Sequence, residues 1–270
     1  MMAIWAIANQ KGGVGKSTTG INLGAALARL GLRVLLVDSD PQSNATSGLG
    51  IRPDGTPTIY DLLLAAAPQP DAAILPTRQR GLHLIAATPA LAGAEVELAG
   101  AAAREHRLQR ALAGTAARFD QILIDCPPSL GLLTVNALCT ADAVLVPVQC
   151  EYLALEGLGH LITTIDLVRR NLNPHLTVGA VLLTMFDGRT NLAQQVVDEV
   201  RQHFPETLQT VIPRSIRLGE APSHGRTIFE YAPQSAGAVA YAQAAAELQA
   251  TAFGARQPPV QAAVGAGASA

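Results

Sequence analysis

The stretch Ala8-Asn9-Gln10-Lys11-Gly12-Gly13-Val14-Gly15-Lys16-Ser17-Thr18-Thr19 decides the fold. It lies between an apolar run, Ala3 to Ala8, and a segment of helical periodicity, Ser17 to Leu30, which Gly31 closes as a helix terminator. A strand that runs through a glycine-rich turn into an amphipathic helix lets backbone N–H groups curl around an anion. The helix brings the positive end of its dipole to the same point. The stretch also holds the only two lysines of a 270-residue chain with 19 basic residues. In such a loop Lys16 reaches the β- and γ-phosphates of a nucleotide, and the Ser17 hydroxyl ligates Mg²⁺. Gly12, Gly13, Val14, Gly15 and Thr18 complete the expected phosphate cradle.

Outward from the loop, short apolar runs alternate with longer helical patterns. Ala3 to Ala8, Arg33 to Val37, Leu82 to Ala86, Gln121 to Ile124, Ala143 to Val148, Val178 to Leu183 and Thr210 to Ile212 read as strands. Their hydrophobicity is continuous, as in parallel strands buried on both faces. Ser17 to Leu30, Glu97 to Ala117, Leu155 to Asn171, Leu192 to His203 and Ala236 to Phe253 read as helices. This alternation predicts an α/β fold: a single doubly wound, mostly parallel sheet with helices on both faces. Residues 1–253 are expected to form one domain, and 254–270, rich in Ala, Gly and Pro, a disordered tail.

Composition narrows the function classes. Charged residues are 15% of the chain and the net charge is -2, so overall electrostatics would not draw it to nucleic acid or an anionic membrane. Binding of that kind requires a local patch. Cys126, Cys139 and Cys150 are an odd number of widely spaced thiols in apolar sequence, which points to reduced core residues and a cytoplasmic setting. No stretch has the length or composition of a membrane span or a secretory leader.

Two strands end in acids. Val34-Leu35-Leu36-Val37-Asp38-Ser39-Asp40 and Ile122-Leu123-Ile124-Asp125 carry carboxylates to the edge where open α/β sheets bind ligands. Standing alone, either acid would serve equally as a helix N-cap or a loop carboxylate. The ordinary phosphate loop has glycine where this chain has Gln10 and asks for no lysine at position 11. The order Lys-Gly-Gly-Val-Gly-Lys-Ser instead resembles the deviant Walker A signature of the ParA/MinD superfamily of dimeric P-loop NTPases. That resemblance implies that Lys11 reaches across an ATP-bound homodimer to the partner's phosphates, supplying the cation that an arginine finger supplies elsewhere. It implies that Asp40 is the switch aspartate that orients the attacking water, and that Asp125, at the Walker B position, acts on Mg²⁺ through a bound water.

The motifs Asp38-Ser-Asp-Pro-Gln-Ser-Asn44, Leu91-Ala-Gly-Ala-Glu95, Asp125-Cys-Pro-Pro-Ser129, Pro147-Val-Gln-Cys150-Glu-Tyr-Leu-Ala-Leu-Glu156-Gly and Glu220-Ala-Pro-Ser-His-Gly225 are similar to those of the Soj/ParA chromosome-partitioning branch, over about residues 3 to 250. Membership would imply an Mg²⁺-dependent ATPase cycling between ATP and ADP. Its ATP dimer would bind double-stranded DNA without sequence preference and be released by a ParB-type centromere-binding partner, making it cytoplasmic and nucleoid-associated. Arg189 and Arg217 fall where such proteins place DNA-contacting basic residues, although Arg217 reads equally as a solvated arginine. Met185 and Pro213, with their neighbours Ile212 and Arg214, are expected around the adenine. Three rivals fit less well. A MinD-like membrane-associated positioning ATPase needs a basic amphipathic C-terminal helix, whereas Ala236 to Phe253 contains no Lys or Arg. An iron–sulfur carrier of the nitrogenase-iron-protein type needs paired ligand cysteines, and an ATP-dependent carboxylate ligase needs a further substrate pocket.

Overall fold

The computed structural model describes residues 3–151 and 154–254. Seven strands form one sheet in the order β3-β4-β2-β5-β1-β6-β7. The strands are β1 (Ala3–Ile7), β2 (Val34–Asp38), β3 (Ile74–Pro76), β4 (Leu82–Ile85), β5 (Gln121–Asp125), β6 (Ala143–Gln149) and β7 (Thr177–Thr184). Every pairing is parallel except that of the short edge strand β3 with β4. The connecting helices are α1 (Lys16–Arg29), α2 (Asn44–Gly48), α3 (Ile59–Leu64), α4 (Pro70–Ala73), α5 (Leu91–Glu97), α6 (Arg107–Leu112), α7 (Leu132–Thr140), α8 (Ala154–Asn171), α9 (Asn191–His203), α10 (Ile216–Ser223), α11 (Ile228–Tyr231) and α12 (Ala236–Gly254).

Side chains alternate across each strand, so the continuous apolar runs supply two cores at once. Leu35, Val37, Ile122, Ile124, Val144 and Val146 pack under α5 to α9. Trp5, Ile7, Val34, Leu36, Leu123 and Leu145 pack under α1, α10, α11 and α12. The expected sheet with helices on both faces is therefore the fold. Helix α1 ends where the sequence placed its end: Gly31 N–H donates to Ala28 and Leu32 N–H to Leu27, the paired bonds of a glycine-terminated helix.

Two expectations are corrected, and one strand was not foreseen. The segment Thr210 to Ile212 is not a strand. It follows β7 only through isolated bridges, Val181 to Thr207 and Phe186 to Pro213. Glu247 of α12 accepts the Thr210 N–H at 3.0 Å, and proline has no N–H to extend a ladder. The helix expected over Glu97 to Ala117 is broken into the end of α5, a short 3₁₀ turn at Arg104–His106, α6, and a second 3₁₀ turn. Buried Asn136 of α7 stabilises the break: its Oδ1 accepts the Leu108 N–H at 3.0 Å and its Nδ2 donates to the Arg104 carbonyl at 2.8 Å. Strand β3, with Pro76 in its three residues, carried too little apolar pattern to be read. Of the expected tail, only residue 254 lies within the described residues, as the last of α12.

Candidate nucleotide site

The carboxyl ends of β1, β2, β5 and β6 meet at one edge of the sheet, and the loop from Ala8 to Gly15 crosses it. Buried Asn9 pins the loop at its start, donating to the Pro147 carbonyl at 2.7 Å and accepting the Lys11 N–H at 2.9 Å. Thr184, at the end of β7, donates its hydroxyl to the Val14 carbonyl at 2.9 Å. Gly13 and Gly15 have φ of +78° and +92°, the left-handed turn that aims successive N–H groups to one side. Gly15 then caps α1, so the loop empties directly into a helix N-terminus.

Lys16 lies back over the loop, its ammonium donating to the Lys11 carbonyl at 3.3 Å. Burial lowers its pKa, while Asp125, Cys126 and Asp40 favour its charge. Asp125 is fully buried near Lys16, and its carboxylate oxygens have no hydrogen bond of full geometry, the Ser17 side chain offering only a weak one. Its pKa is raised well above the carboxylate range, first by burial and then by Asp38, with the Ser17 side chain partly offsetting this. Asp40 is buried at the cavity mouth, where its Oδ1 accepts the Gln42 N–H at 2.9 Å. An unpartnered buried carboxylate beside a hydroxyl and a second acid is a donor set that suits a hard divalent cation. Among the described residues no cluster of three or more His, Cys, Asp or Glu could hold a metal by itself. A magnesium ion completed by phosphate oxygens and water needs only one or two protein groups.

Two adjoining cavities open over the loop. One, of about 700 Å³, is lined by Gly12, Gly13, Lys16, Ser17, Asp40 and Asn44 among others. The second, of about 360 Å³, is mostly apolar and lined by Met185, Ile212, Pro213, Ile216, Leu218 and Tyr241. Gly15, Thr18, Met185, Leu218 and Gly219 line both, so the polar compartment leads into the apolar one. Met185 takes φ +53°, rare for a side-chain-bearing residue, and is held there by the Phe186 N–H bond to the Ile212 carbonyl at 3.0 Å. Gly12, Gly13, Gly15, Lys16, Ser17, Thr18, Asp40 and Met185 line the polar cavity and Pro213 the apolar one, whereas Lys11, Val14 and Asp125 line neither, the Val14 side chain being buried.

Lys11 behaves differently from Lys16. Its ammonium lies 3.2 Å from Glu151 of the same chain. Arg189 and Arg217 stand apart from the cavities, and each is paired: Arg189 forks onto Asp187 at 2.8 and 2.6 Å, and Arg217 reaches Glu220 at 2.9 Å. Sequence reasoning passed over Thr184, Leu218, Gly219, Tyr241 and Glu151. Thr184 ends β7, and Leu218, Gly219 and Tyr241 lie on helices, none with a signature of its own, while Glu151 sits inside a quoted motif without a role.

A nucleotide-sized double cavity over a glycine-rich loop, with a lysine and buried acids at the phosphate end, defines the chain as a P-loop nucleoside-triphosphate-binding protein. A family profile described as an AAA domain matches residues 2–178. The sporulation initiation inhibitor protein Soj of Bacillus subtilis is 55% identical over 252 residues, 93% of this chain and 99% of that protein. The chromosome-partitioning ATPase Soj of Thermus thermophilus is 54% identical over 247 residues, 91% of this chain and 94% of that protein. Among solved structures, a cobyrinic acid a,c-diamide synthase from Mycobacterium smegmatis with bound ADP and magnesium matches with a TM-score of 0.82 at 41% identity, covering 96% of this chain and 98% of that one. The same protein matches at 40% identity with a bound ATP analog and magnesium. The chain belongs to the Soj/ParA family of chromosome-partitioning ATPases. Among the described residues no helix is long and apolar enough to cross a membrane.

Proposed function

We infer that the chain binds Mg²⁺·ATP in the double cavity, dimerises around it, binds double-stranded DNA as the ATP dimer, and leaves DNA when a ParB-type partner stimulates hydrolysis to ADP. The observation that carries this reading is the cavity that brings the phosphate loop, Lys16, Ser17 and Asp40 together, with buried Asp125 close enough to Lys16 to favour its charge. Gly12 to Gly15 present backbone N–H groups to the phosphates, and Lys16 holds the β- and γ-phosphates with its ammonium. Ser17, Asp40 and Asp125 hold the magnesium ion, which supplies charge neutralisation to the leaving phosphates when bound. Asp40, at the open mouth, orients the attacking water. Met185, Pro213 and the apolar walls around them receive the base.

DNA binding would rest on phosphate contacts by Arg189 and Arg217, and would depend on salt but not on sequence. Dimerisation doubles a weak patch on a chain of net charge -2. This role places the protein in the cytoplasm on the nucleoid, its described core corresponding to one catalytic domain. Relatives named for chromosome partitioning, at 54% identity, favour it over amide synthesis, the activity named for a structure at 41%.

Size-exclusion chromatography of Asp40→Ala with Mg²⁺·ATP tests the reading, with a stable dimer expected. A monomer overturns it. A DNA gel shift beside liposome co-sedimentation, each with and without ATP, separates the membrane-associated alternative. Lipid binding without DNA binding would replace the present reading.

A further inference from the structure

Glu151 follows the end of β6 and collects three partners from separate parts of the chain. Its Oε2 accepts from the Lys11 ammonium at 3.2 Å, its Oε1 lies 3.7 Å from the Arg214 guanidinium, and Gln149 donates its side-chain amide to the same Oε1. Lys11 belongs to the phosphate loop, and Arg214 lines the apolar cavity. The Lys11 and Glu151 side chains are 37% and 45% exposed, so the pair lies at the surface and is not locked into the core. The Lys11 backbone, by contrast, is fixed by Asn9 and by Lys16. The side chain is therefore the mobile part, and Glu151 decides where its charge rests.

We propose that Glu151 is a positioning residue for Lys11: it holds the ammonium in the single chain and gives it up when a second nucleotide-loaded chain offers phosphates. A triphosphate with magnesium still leaves several anionic oxygens, a stronger attractor for a point charge than one half-exposed carboxylate shared with Arg214. The exchange is thus favourable only once the partner is present. In the lone chain, Glu151 keeps an unpaired cation away from the chain's own phosphate site. Arg214 retains the carboxylate after Lys11 leaves, so no buried charge is stranded. The inference rests on the dimer reading above, and adds to it a group that sets the threshold for assembly.

The lysine content makes the contact directly readable. With two lysines in the chain, lysine-selective ¹⁵N labelling gives two side-chain resonances, assigned by Lys11→Arg. Glu151→Gln in the full-length protein is expected to move the Lys11 resonance and leave that of Lys16 in place. It should also lower the protein concentration at which Mg²⁺·ATP produces a dimer, by about two- to fivefold, the range of a surface ion pair. Glu151→Asp should restore part of both effects, and Arg214→Gln should not move the Lys11 resonance. An unmoved Lys11 resonance overturns the contact, and an unchanged or weaker dimer in Glu151→Gln overturns the holding role. If Asp40→Ala fails to dimerise with ATP, the dimer reading falls and the handover with it, while the Lys11 resonance still reports whether Glu151 holds the lysine.

Discussion

Asp38 and Asp125 stand side by side in register at the carboxyl ends of β2 and β5, both fully buried. Their surroundings differ. Asp38 is satisfied: the Thr46 hydroxyl and N–H reach its Oδ2 at 2.7 and 2.8 Å, and the Asp40 N–H reaches its Oδ1 at 3.2 Å. Thr46 is itself fixed by the Ala87 N–H at 3.0 Å. Asp125 has no such partner. Asp38 therefore ties down the segment that carries Asp40, while Asp125 is left as an unsatisfied acid near Lys16.

An unpartnered buried carboxylate beside another acid costs stability until a cation arrives. Asp125→Asn replaces an acid that burial strains by a neutral group of nearly constant volume. The nucleotide-free variant should be more stable than wild type by about 1–3 kcal/mol, or roughly 2–10 °C in melting temperature for a chain of this size. The further stabilisation that wild type gains from Mg²⁺·ATP should be largely lost. Differential scanning fluorimetry with and without Mg²⁺·ATP checks both signs. A variant less stable than wild type in the free state would mean that Asp125 serves the fold.

Asp38 carries a pH signature. Burial pushes its carboxyl up to about 6, against the Thr46 and Asp40 hydrogen bonds and with the Asp40 charge adding to the rise. The folded chain then holds this proton more tightly than the unfolded chain, whose Asp titrates near 4. Stability from this group is thus greatest near pH 4 and is lost as pH rises through about 6. His83 pulls the other way, because burial first and the Arg118 charge second lower its pKa. The comparison is therefore between proteins: the melting temperature of wild type minus that of Asp38→Asn should increase from pH 7 to pH 5 in EDTA. A flat difference would show that Asp38 is ionised in the folded chain as in the unfolded one across this range, its pKa not raised by burial.

The two arginines expected on DNA are not free cations. Arg189 grips Asp187 with two bonds, and its guanidinium pulls that carboxyl down to about 2. Phosphate must compete with this carboxylate. Asp187→Asn should tighten ATP-dependent DNA binding by about two- to fivefold. Arg189→Glu should weaken binding by tenfold or more while sparing the dimer, and should make the salt dependence shallower by about two units per dimer. Fluorescence anisotropy on unrelated duplexes across a salt series measures all three. Unchanged affinity in both variants would move the DNA surface elsewhere.

Sequence showed the phosphate end of the site more clearly than the base end, for a physical reason. Gly12 to Ser17 work through backbone geometry that few residue types permit, so the pattern itself carries the chemistry. Leu218, Gly219 and Tyr241 receive a flat apolar group, a task many residues perform. They come together because α12 folds back onto α1 and α10 packs on α2 and α11. The same limit hid the break before α6, which depends on Asn136 of α7 and not on local propensity. Ion pairing was invisible as well. Asp187 lies two residues before Arg189 and Glu220 three after Arg217, but spacing alone does not say which charges meet.

Two glycines bring the walls of the nucleotide cavity into backbone contact. Gly50, just past α2, meets Gly225, just past α10, and both have positive φ, +69° and +61°. A Cβ on Gly225 would lie 2.7 Å from the Gly50 Cα and 3.1 Å from its N, where nothing can rotate away. Helix α2 brings Asn44, Ser47 and Gly48 to the cavity, and α10 brings Leu218, Gly219 and Pro222. Gly225→Ala should force these walls apart. Left-handed strain costs about 1 kcal/mol, and overpacking against backbone adds about 1–3 kcal/mol. Gly55→Ala is the matched control: Gly55 has φ +72° with open space around it, so it carries strain without collision. Gly225→Ala is expected to lose more melting temperature than Gly55→Ala and to weaken ATP binding, which Gly55→Ala leaves alone. Equal losses, with equal ATP affinity, would show that the two helices hold their positions without this contact.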